Sequence, residues 1–486
     1  MPTMWEWLEP VWPVLLTAVA LGADILAVTH VLLYRRDPRA ALLWIGLIWL
    51  TPLLGAILYS IFGINRIRRR AKELRSDLER IRVSAGQHPV PPEELARRLP
   101  GERRYLTELE RLVERVVSRR LLAGNRIEPL ENGDRAYPAM LEAIGQARTS
   151  VSLTSYIFDS DVVGRRFVEA LSRAAGRGVA VRVLVDDAGS HYSFPRITRL
   201  LRQAGVITAR FHPRLRLLPR SVLNMRNHRK LCVIDGTIGF TGGLNIRAAN
   251  LLADRPRHPT RDLHFRIRGP TVAQLQAVFA EDWLFTTGER LGGETWFPRL
   301  EAAGPALARG IPDGPDEDYD KLRWVLLGAV GIARTSIQIV TPYFLPDASL
   351  TSALNLAALR GVAVEIFLPA RSNLPIIDWA MHATLWQVLE HGCRVWFTRP
   401  PFDHTKLLLV DGYWSFFGSA NWDHRSLRLN FEFNVECLDR ELARELEVFI
   451  ERRRSEGRPV SLEEMDSRSL PVRLRDGVAR LFTPLL

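Results

Sequence analysis

The sequence predicts an α/β protein made of two duplicated halves, preceded by a transmembrane helical hairpin. Three observations carry this reading. Two long apolar stretches open the chain, strand-like and helix-like patterns alternate after them, and one His/Lys signature occurs twice, its shared positions 176 residues apart. In chain order the expected parts are a two-span anchor (1–64), a basic helical linker (65–130), a first half (131–300), a second half (301–452) and a C-terminal tail (453–486).

Residues 11–34 and 41–64 are each long enough to cross about 30 Å of hydrocarbon as a helix, and Arg35-Arg36-Asp37-Pro38-Arg39 joins them. Glu6 and Glu9, with no Lys or Arg among the first ten residues, argue against a cleaved signal peptide. Three arginines lie in the connection, whereas Arg66, Arg68, Arg69, Arg70, Lys72 and Arg75 follow the second span. That bias predicts a cytoplasmic catalytic domain. Asp24 and His30, inside the first span, receive no assigned role. The linker reads as a basic, Glu-rich helix over 66–83, a proline break at 88–92 and a second charged helix over 93–122.

Composition narrows the class. With 47% hydrophobic and 25% charged residues the chain is globular rather than disordered, and its net charge of +12 points to an anionic partner. Residues 65–135 hold eighteen Lys/Arg against twelve Asp/Glu, about half of the excess. Cys232, Cys393 and Cys437 are scattered in apolar runs, which excludes a disulfide framework or a zinc site and suits reduced core thiols.

Past the linker the chain repeats itself. Ala147-Arg148-Thr149-Ser150 opens an apolar run ending at Tyr156 and Phe158, and Ala333-Arg334-Thr335-Ser336 opens one ending at Tyr343 and Phe344. Arg177-Gly178 and Arg360-Gly361 each lead into a further strand, with helical patterns between. The alternation predicts largely parallel sheets.

Each half then closes on the signature. The first copy carries His228, Lys230, Asp235-Gly236, Gly242-Gly243 and Asn245, and the second carries His404, Lys406, Asp411-Gly412, Gly418-Ser419 and Asn421. Apolar runs flanking Asp-Gly signal a hairpin. With Asp-Gly as a two-residue turn, Lys230 faces Thr241 and His228 faces Gly243, so His228, Lys230 and Asn245 share one face. The second copy gives the same for His404, Lys406, Ser419 and Asn421. Asp235 and Asp411 fall at the turn and read as turn or ion-pair residues more than as direct participants.

Such a face suits an anionic tetrahedral group. Lysines neutralise non-bridging oxygens while Asn and Ser donate hydrogen bonds. Of two histidines, one can attack phosphorus while the other protonates the leaving oxygen and then deprotonates the incoming one. Asp262 and Glu432, seventeen residues past Asn245 and eleven past Asn421, are candidates to orient the histidines.

At these residues the chain resembles the phospholipase D superfamily, and within it the bacterial cardiolipin synthases. The resemblance rests on the two HxKxxxxD motifs, the two-span start, Tyr156-Ile157-Phe158, Gly242-Gly243-Leu244-Asn245, the DGPD run at 313–316, the PYFLPD run at 342–347, and the RLNFE run at 428–432. It implies two phospholipase D-like α/β halves around one cleft and a phosphatidyltransferase of the bacterial cytoplasmic membrane. Such an enzyme works without metal or cofactor, joining two phosphatidylglycerols with release of glycerol. It further implies His228 as nucleophile, His404 as general acid/base, Glu432 paired with His228 and Asp262 with His404. Thr260 stands where many relatives have an aromatic residue, a change at the cleft rim that bears on the acceptor.

Between Asp187 and Asp235 there are ten Lys/Arg and no carboxylate, which suits either an anionic membrane surface or a plain solvated face. The C-terminal segment 470–486 mixes arginines with Leu, Val and Phe at helical spacing, as an interfacial helix or a cap would. Lipid hydrolysis by the same residues is the first alternative to transfer. A nuclease fits a membrane hairpin poorly, so nucleic acid is not an expected partner. A non-catalytic scaffold would not require both motifs. Oligomeric state has no signature in the sequence.

Overall fold

The structure is a computed structural model that describes residues 11–34, 38–63, 89–211, 226–314 and 320–483. Glu6 and Glu9, Arg35 to Asp37 in the connection, the basic run 66–83, Arg214, Arg216 and Arg220, and the Pro315-Asp316 end of the DGPD run lie outside these residues. The described residues fall into two units, 11–34 with 38–63, and the remainder.

In the first unit Val11–Tyr34 is one apolar helix. Its stretch Trp12–Tyr34 is, among the described residues, the one helix long and apolar enough to cross a membrane by itself. The second apolar stretch differs from expectation. It runs as a helix over Pro38–Leu50, breaks, and resumes as Leu54–Leu58 followed by a π-helical turn, Tyr59–Gly63. The break has a local cause: Pro52 cannot donate a helical hydrogen bond, and Leu53 adopts a positive φ of 64°. Asp24 and His30 help hold this packing, because the Asp24 carboxylate accepts the Leu53 N–H at 3.1 Å and His30 Nδ1 lies 2.7 Å from the Tyr59 hydroxyl.

The second unit contains both halves. The first half supplies β1 (Leu122–Glu131), β2 (Ser150–Ser155), β3 (Ala180–Asp186), β4 (Thr208–Phe211), β5 (Leu231–Ile234), β6 (Ile238–Gly242), β7 (Thr260–Arg261) and β8 (Leu263–Arg268). The second supplies β9 (Ala306–Asp313), β10 (Ser336–Val340), β11 (Ala363–Pro369), β12 (Arg394–Thr398), β13 (Phe402–Asp403), β14 (Leu407–Val410), β15 (Trp414–Gly418), β16 (Glu432–Leu438) and β17 (Arg458–Val460). The main sheet runs β17-β12-β11-β10-β14-β15-β16-β9-β1-β8-β6-β5-β2-β3-β4. Read outward from the central β9–β1 pair, the two arms have the same strand order, so the duplication in sequence is a pseudo-twofold in the fold.

The sheet is mixed rather than largely parallel. Only β2-β3-β4 and β10-β11-β12 run parallel within it, each joined by crossover helices such as Val162–Gly176 and Ala348–Leu359. The motif strands return through tight turns, which force antiparallel pairing. The two arms meet face to face: Phe265 of β8 stacks on Phe417 of β15 with ring centroids 3.6 Å apart. Leu231, Val233, Leu407, Leu409 and Phe433 fill the shared core around them. Separate cores lie under the helices of each half, and the three cysteines are buried as free thiols.

The second linker helix, expected over 93–122, is not continuous. Pro100 splits the expected second helix into Pro92–Arg98 and Leu106–Val117. Leu106, Leu109 and Val113 then join the core of the second half beside Leu322, Val325 and Leu326. Arg309 of β9 ties the stretch down by donating to the carbonyl oxygens of Arg119 (2.9 Å) and Glu110 (3.3 Å).

Candidate active site

The motif hairpins depart from the expected register. β5 pairs Ile234 with Ile238 and Leu231 with Thr241, and β14 pairs Val410 with Trp414 and Leu407 with Phe417. The ladder is shifted by one residue. Asp235-Gly236 and Asp411-Gly412 do form the turn, all four with positive φ (51°, 63°, 53° and 58°), but Thr237 and Tyr413 are inserted after it. Cross-ladder parity therefore does not place Asn245 beside His228. Asn245 lies beyond the end of β6, its Oδ1 accepting the Ile157 N–H at 3.1 Å and its carbonyl accepting the Tyr137 hydroxyl at 2.6 Å.

Asp235 and Asp411 act as structural clamps. Asp235 accepts the N–H groups of Arg148, Thr149 and Ser150, and Asp411 those of Arg334, Thr335 and Ser336. The repeated Ala-Arg-Thr-Ser segments are thus the partners of the motif aspartates, fixing the start of β2 and of β10. Asp411 also accepts from the Tyr105 hydroxyl. Burial pushes Asp411 up, yet these donors hold it below the usual carboxylate range.

The histidines are held by reciprocal exchange between the halves. His228 N–H donates to the Phe431 carbonyl at 2.9 Å, and His404 N–H to the Arg261 carbonyl at 2.8 Å, where β13 pairs with β7. Each histidine thereby reaches a carboxylate of the other half. His228 Nδ1 lies 3.1 Å from both Glu432 oxygens, and His404 Nδ1 lies 2.8 Å from Asp262 Oδ2. Glu432 and Asp262 occupy equivalent places, two residues before Asn434 and His264, which pair with Gly418 and Gly242. The unequal sequence spacings reflect a longer loop before β8.

The two pairs are not chemically equal. Glu432 also accepts from the Ser419 hydroxyl and from Asn430 Nδ2 (3.1 Å). Burial raises its pKa, but His228, Lys230 and these donors win and hold it lowered. Asp262 accepts the Leu263 N–H (2.8 Å) besides facing His404, and burial pushes it up to about 7 against the pull of Lys406. Gly243, the counterpart of Ser419, has no room for a side chain: a Cβ there would sit 2.1 Å from Asp262 Oδ1. Burial lowers His228 to about 4 despite Glu432, and burial with Lys406 and Lys230 holds His404 well below the usual range. A neutral His228 that donates Nδ1–H to an anionic Glu432 presents a bare Nε2 lone pair.

Lys230 Nζ donates to the His228 carbonyl at 2.7 Å and Lys406 Nζ to that of His404, so each lysine stands beside its own histidine. Burial draws Lys230 down to about 7 and Lys406 down to about 8, against the raising charges of Glu432 and Asp262. Two cations with pKa values lowered by burial, that of Lys230 also by Lys406, make a site where an anion is favoured, because it offsets both charges. Asn421, Gly418 and Lys406 line one small cavity together with Asn434.

Aromatic residues flank the site, a feature that the motif spacing does not announce. The Tyr156 ring lies edge-on to His228 with centroids 5.0 Å apart, and Tyr343 takes the same attitude to His404 at 6.4 Å. Both end the equivalent strand-and-turn runs that reveal the repeat, and that equivalence is the signal available in the sequence. Thr260 pairs with Phe402 in the β7–β13 ladder, two residues from His404. Arg229, counted among the basic residues of its segment, is buried against Asp282 and is not a surface cation. Among the described residues no group of three or more His, Cys, Asp or Glu is disposed to hold a metal ion.

Two mixed-sheet halves that lend each other a carboxylate for two His/Lys motifs define the phospholipase D class of protein. A family model for the cardiolipin synthase phospholipase D-like domain matches residues 140–283 and 326–454, and one for the phospholipase D-nuclease N-terminal region matches 22–63. Cardiolipin synthase A of Pseudomonas fluorescens is 34% identical over 467 residues, covering 95% of this chain and 96% of that protein. Cardiolipin synthase 1 of Bacillus anthracis is 32% identical over 465 residues, covering 93% and 90%. The chain belongs to the cardiolipin synthase family. In fold it is similar to the phosphatidylserine synthase of Haemophilus influenzae, with a TM-score of 0.61 at 15% identity over 78% of this chain and 100% of that one.

Proposed function

We propose that the protein is a phosphatidyltransferase that joins two phosphatidylglycerols into cardiolipin and releases glycerol, through a phosphatidyl-histidine on His228. The observation that carries the assignment of roles is the inequality of the two His–carboxylate pairs. Glu432, satisfied by three donors, stays anionic and leaves His228 Nε2 free to attack phosphorus. Asp262, raised by burial, lets the His404 pair hold a proton to give away.

In the first step the His228 Nε2–P bond forms as the P–O bond to glycerol breaks, and His404 protonates the departing glycerol oxygen. In the second, the glycerol hydroxyl of another phosphatidylglycerol returns a proton to His404 while its oxygen attacks phosphorus and the N–P bond breaks. Lys230 and Lys406 neutralise the non-bridging oxygens. Asn245 has its Oδ1 occupied, so its amide N–H groups are the end available to phosphate. Ser419 is committed to Glu432 and acts as a positioning residue. Asn421 completes the second side beside Lys406.

The apolar helix Val11–Tyr34 supports membrane anchoring. We extend this to a two-span anchor in the bacterial cytoplasmic membrane, with the catalytic unit on the cytoplasmic side. Purified protein incubated with labelled phosphatidylglycerol, with and without phosphatidylethanolamine, tests the reaction. Cardiolipin plus glycerol from phosphatidylglycerol alone is the expected result; phosphatidic acid as sole product would make the protein a hydrolase.

A further inference from the structure

The C-terminal helix Leu470–Leu481 carries an apolar face with nothing packed on it among the described residues. Leu470 (68%), Leu474 (62%), Val478 (56%) and Leu481 (73%) are all exposed, and at about 3.6 residues per turn they form a single stripe that Phe482 continues. The opposite face is anchored. Asp476 and Ala479 are buried there, and Asp476 accepts from Arg468 and Arg475. Arg468 also donates to the His382 carbonyl at 2.9 Å, and Arg475 stands over the Trp379 ring at 4.6 Å. The helix is therefore fixed against Pro375–His382 and cannot roll its leucines inward. Exposed Arg473 and Arg480 border the stripe on one side, and Arg475 borders it on the other.

We propose that this helix lies in the membrane interface, its Leu/Val face among the acyl chains and its arginines on anionic headgroups. An aliphatic stripe between cationic borders is the charge and polarity profile of an anionic bilayer surface. The anchor helix keeps a bilayer at high effective concentration around the catalytic unit. A second copy of the chain fits less well. A twelve-residue helix offers a face about 18 Å by 10 Å, far below the roughly 800 Å² per partner of a stable interface. The choice of an anionic lipid surface rests on the membrane reading above but not on the identity of the reaction.

The full chain with Leu474→Cys, labelled with an environment-sensitive fluorophore and reconstituted in phosphatidylglycerol/phosphatidylethanolamine vesicles, tests the proposal. The native cysteines are buried, so labelling is selective. Blue-shifted emission quenched by doxyl-labelled lipid, with neither change at a Glu463→Cys control, is expected. Arg473→Gln with Arg480→Gln should lower the insertion equilibrium by about fivefold per arginine. Water-like emission at position 474 would overturn the proposal, as would a blue shift without doxyl quenching, which would mark a protein contact instead. Assaying the same vesicles for cardiolipin separates failure of the helix reading from failure of the functional one.

Discussion

Replacing Glu432 by Gln probes the inequality between the two histidines. Glu432 accepts His228 Nδ1–H, the Ser419 hydroxyl and Asn430 Nδ2, all donors, in a site with no water-exposed surface on the carboxylate. A glutamine offers one oxygen and one NH2, so only one end accepts, and the Ser419 hydroxyl must accept from the NH2 and donate to the Phe433 carbonyl instead. The change removes the charge from His228's hydrogen bond and removes the Ser419 bond to the carboxylate. At about 1.5–3 kcal/mol for each such bond the sum is roughly 3–6 kcal/mol, which corresponds to about two to somewhat over four decades in rate. The assay is single-turnover formation of the lipid-linked enzyme from labelled phosphatidylglycerol, followed by rapid denaturing quench and gel separation. Retention of the wild-type rate within about one decade would refute the reasoning, because neutral substitution would then leave the nucleophile's orientation intact.

Further expectations separate the remaining parts. With a phosphatidyl nitrophenyl ester, whose leaving group departs without a proton, His404→Ala should release one nitrophenolate per enzyme and stall, whereas His228→Ala should release none; spectrophotometry reads both. An anion raises the depressed pKa values of Lys230 and Lys406, so binding is tightest below about 7, where both lysines are charged, and falls as pH rises through about 7 and about 8. Calorimetric titration with sulfate should show this loss, and constant affinity across that range would contradict it. Gly243→Ala places a methyl group against Asp262, so overpacking of about 1–3 kcal/mol and loss of the His404 contact should lower both thermal stability and turnover. Asp411→Ala should cost about 3 kcal/mol in thermal unfolding by stripping acceptors from Arg334, Thr335 and Ser336, yet leave turnover per folded molecule unchanged.

Local chemistry made much of this legible. The Asp-Gly pairs announced their turns because few residues besides glycine and Asp/Asn tolerate positive φ, and the repeated segments revealed the twofold arrangement of strands. The one-residue insertions at Thr237 and Tyr413 were not legible, since nothing in an apolar run marks which residue will drop out of the ladder. Asp262 and Glu432 stood out as carboxylates near the motifs, but residue spacing alone could not say that each would cross to the other half. The break at Leu53 had its local signal in Pro52, passed over inside an apolar run, whereas the docking of Leu106–Val117 depends on contacts with distant residues, Leu322 and Val325. Periodicity reports which face of a segment is apolar and not what covers it.

The crossing of the carboxylates has a consequence for what counts as the smallest working piece. A first half cut free of the chain would hold His228 without Glu432, and a second half would hold His404 without Asp262. Either piece would need to form a homodimer to complete a histidine, and symmetry would then make both pairs alike, two with glutamate or two with aspartate. Joining the halves in one polypeptide releases that constraint. Ser419 with Glu432 and Gly243 with Asp262 are what broken symmetry permits, and the proposed mechanism uses the difference: one imidazole as a lone pair and the other as a proton carrier.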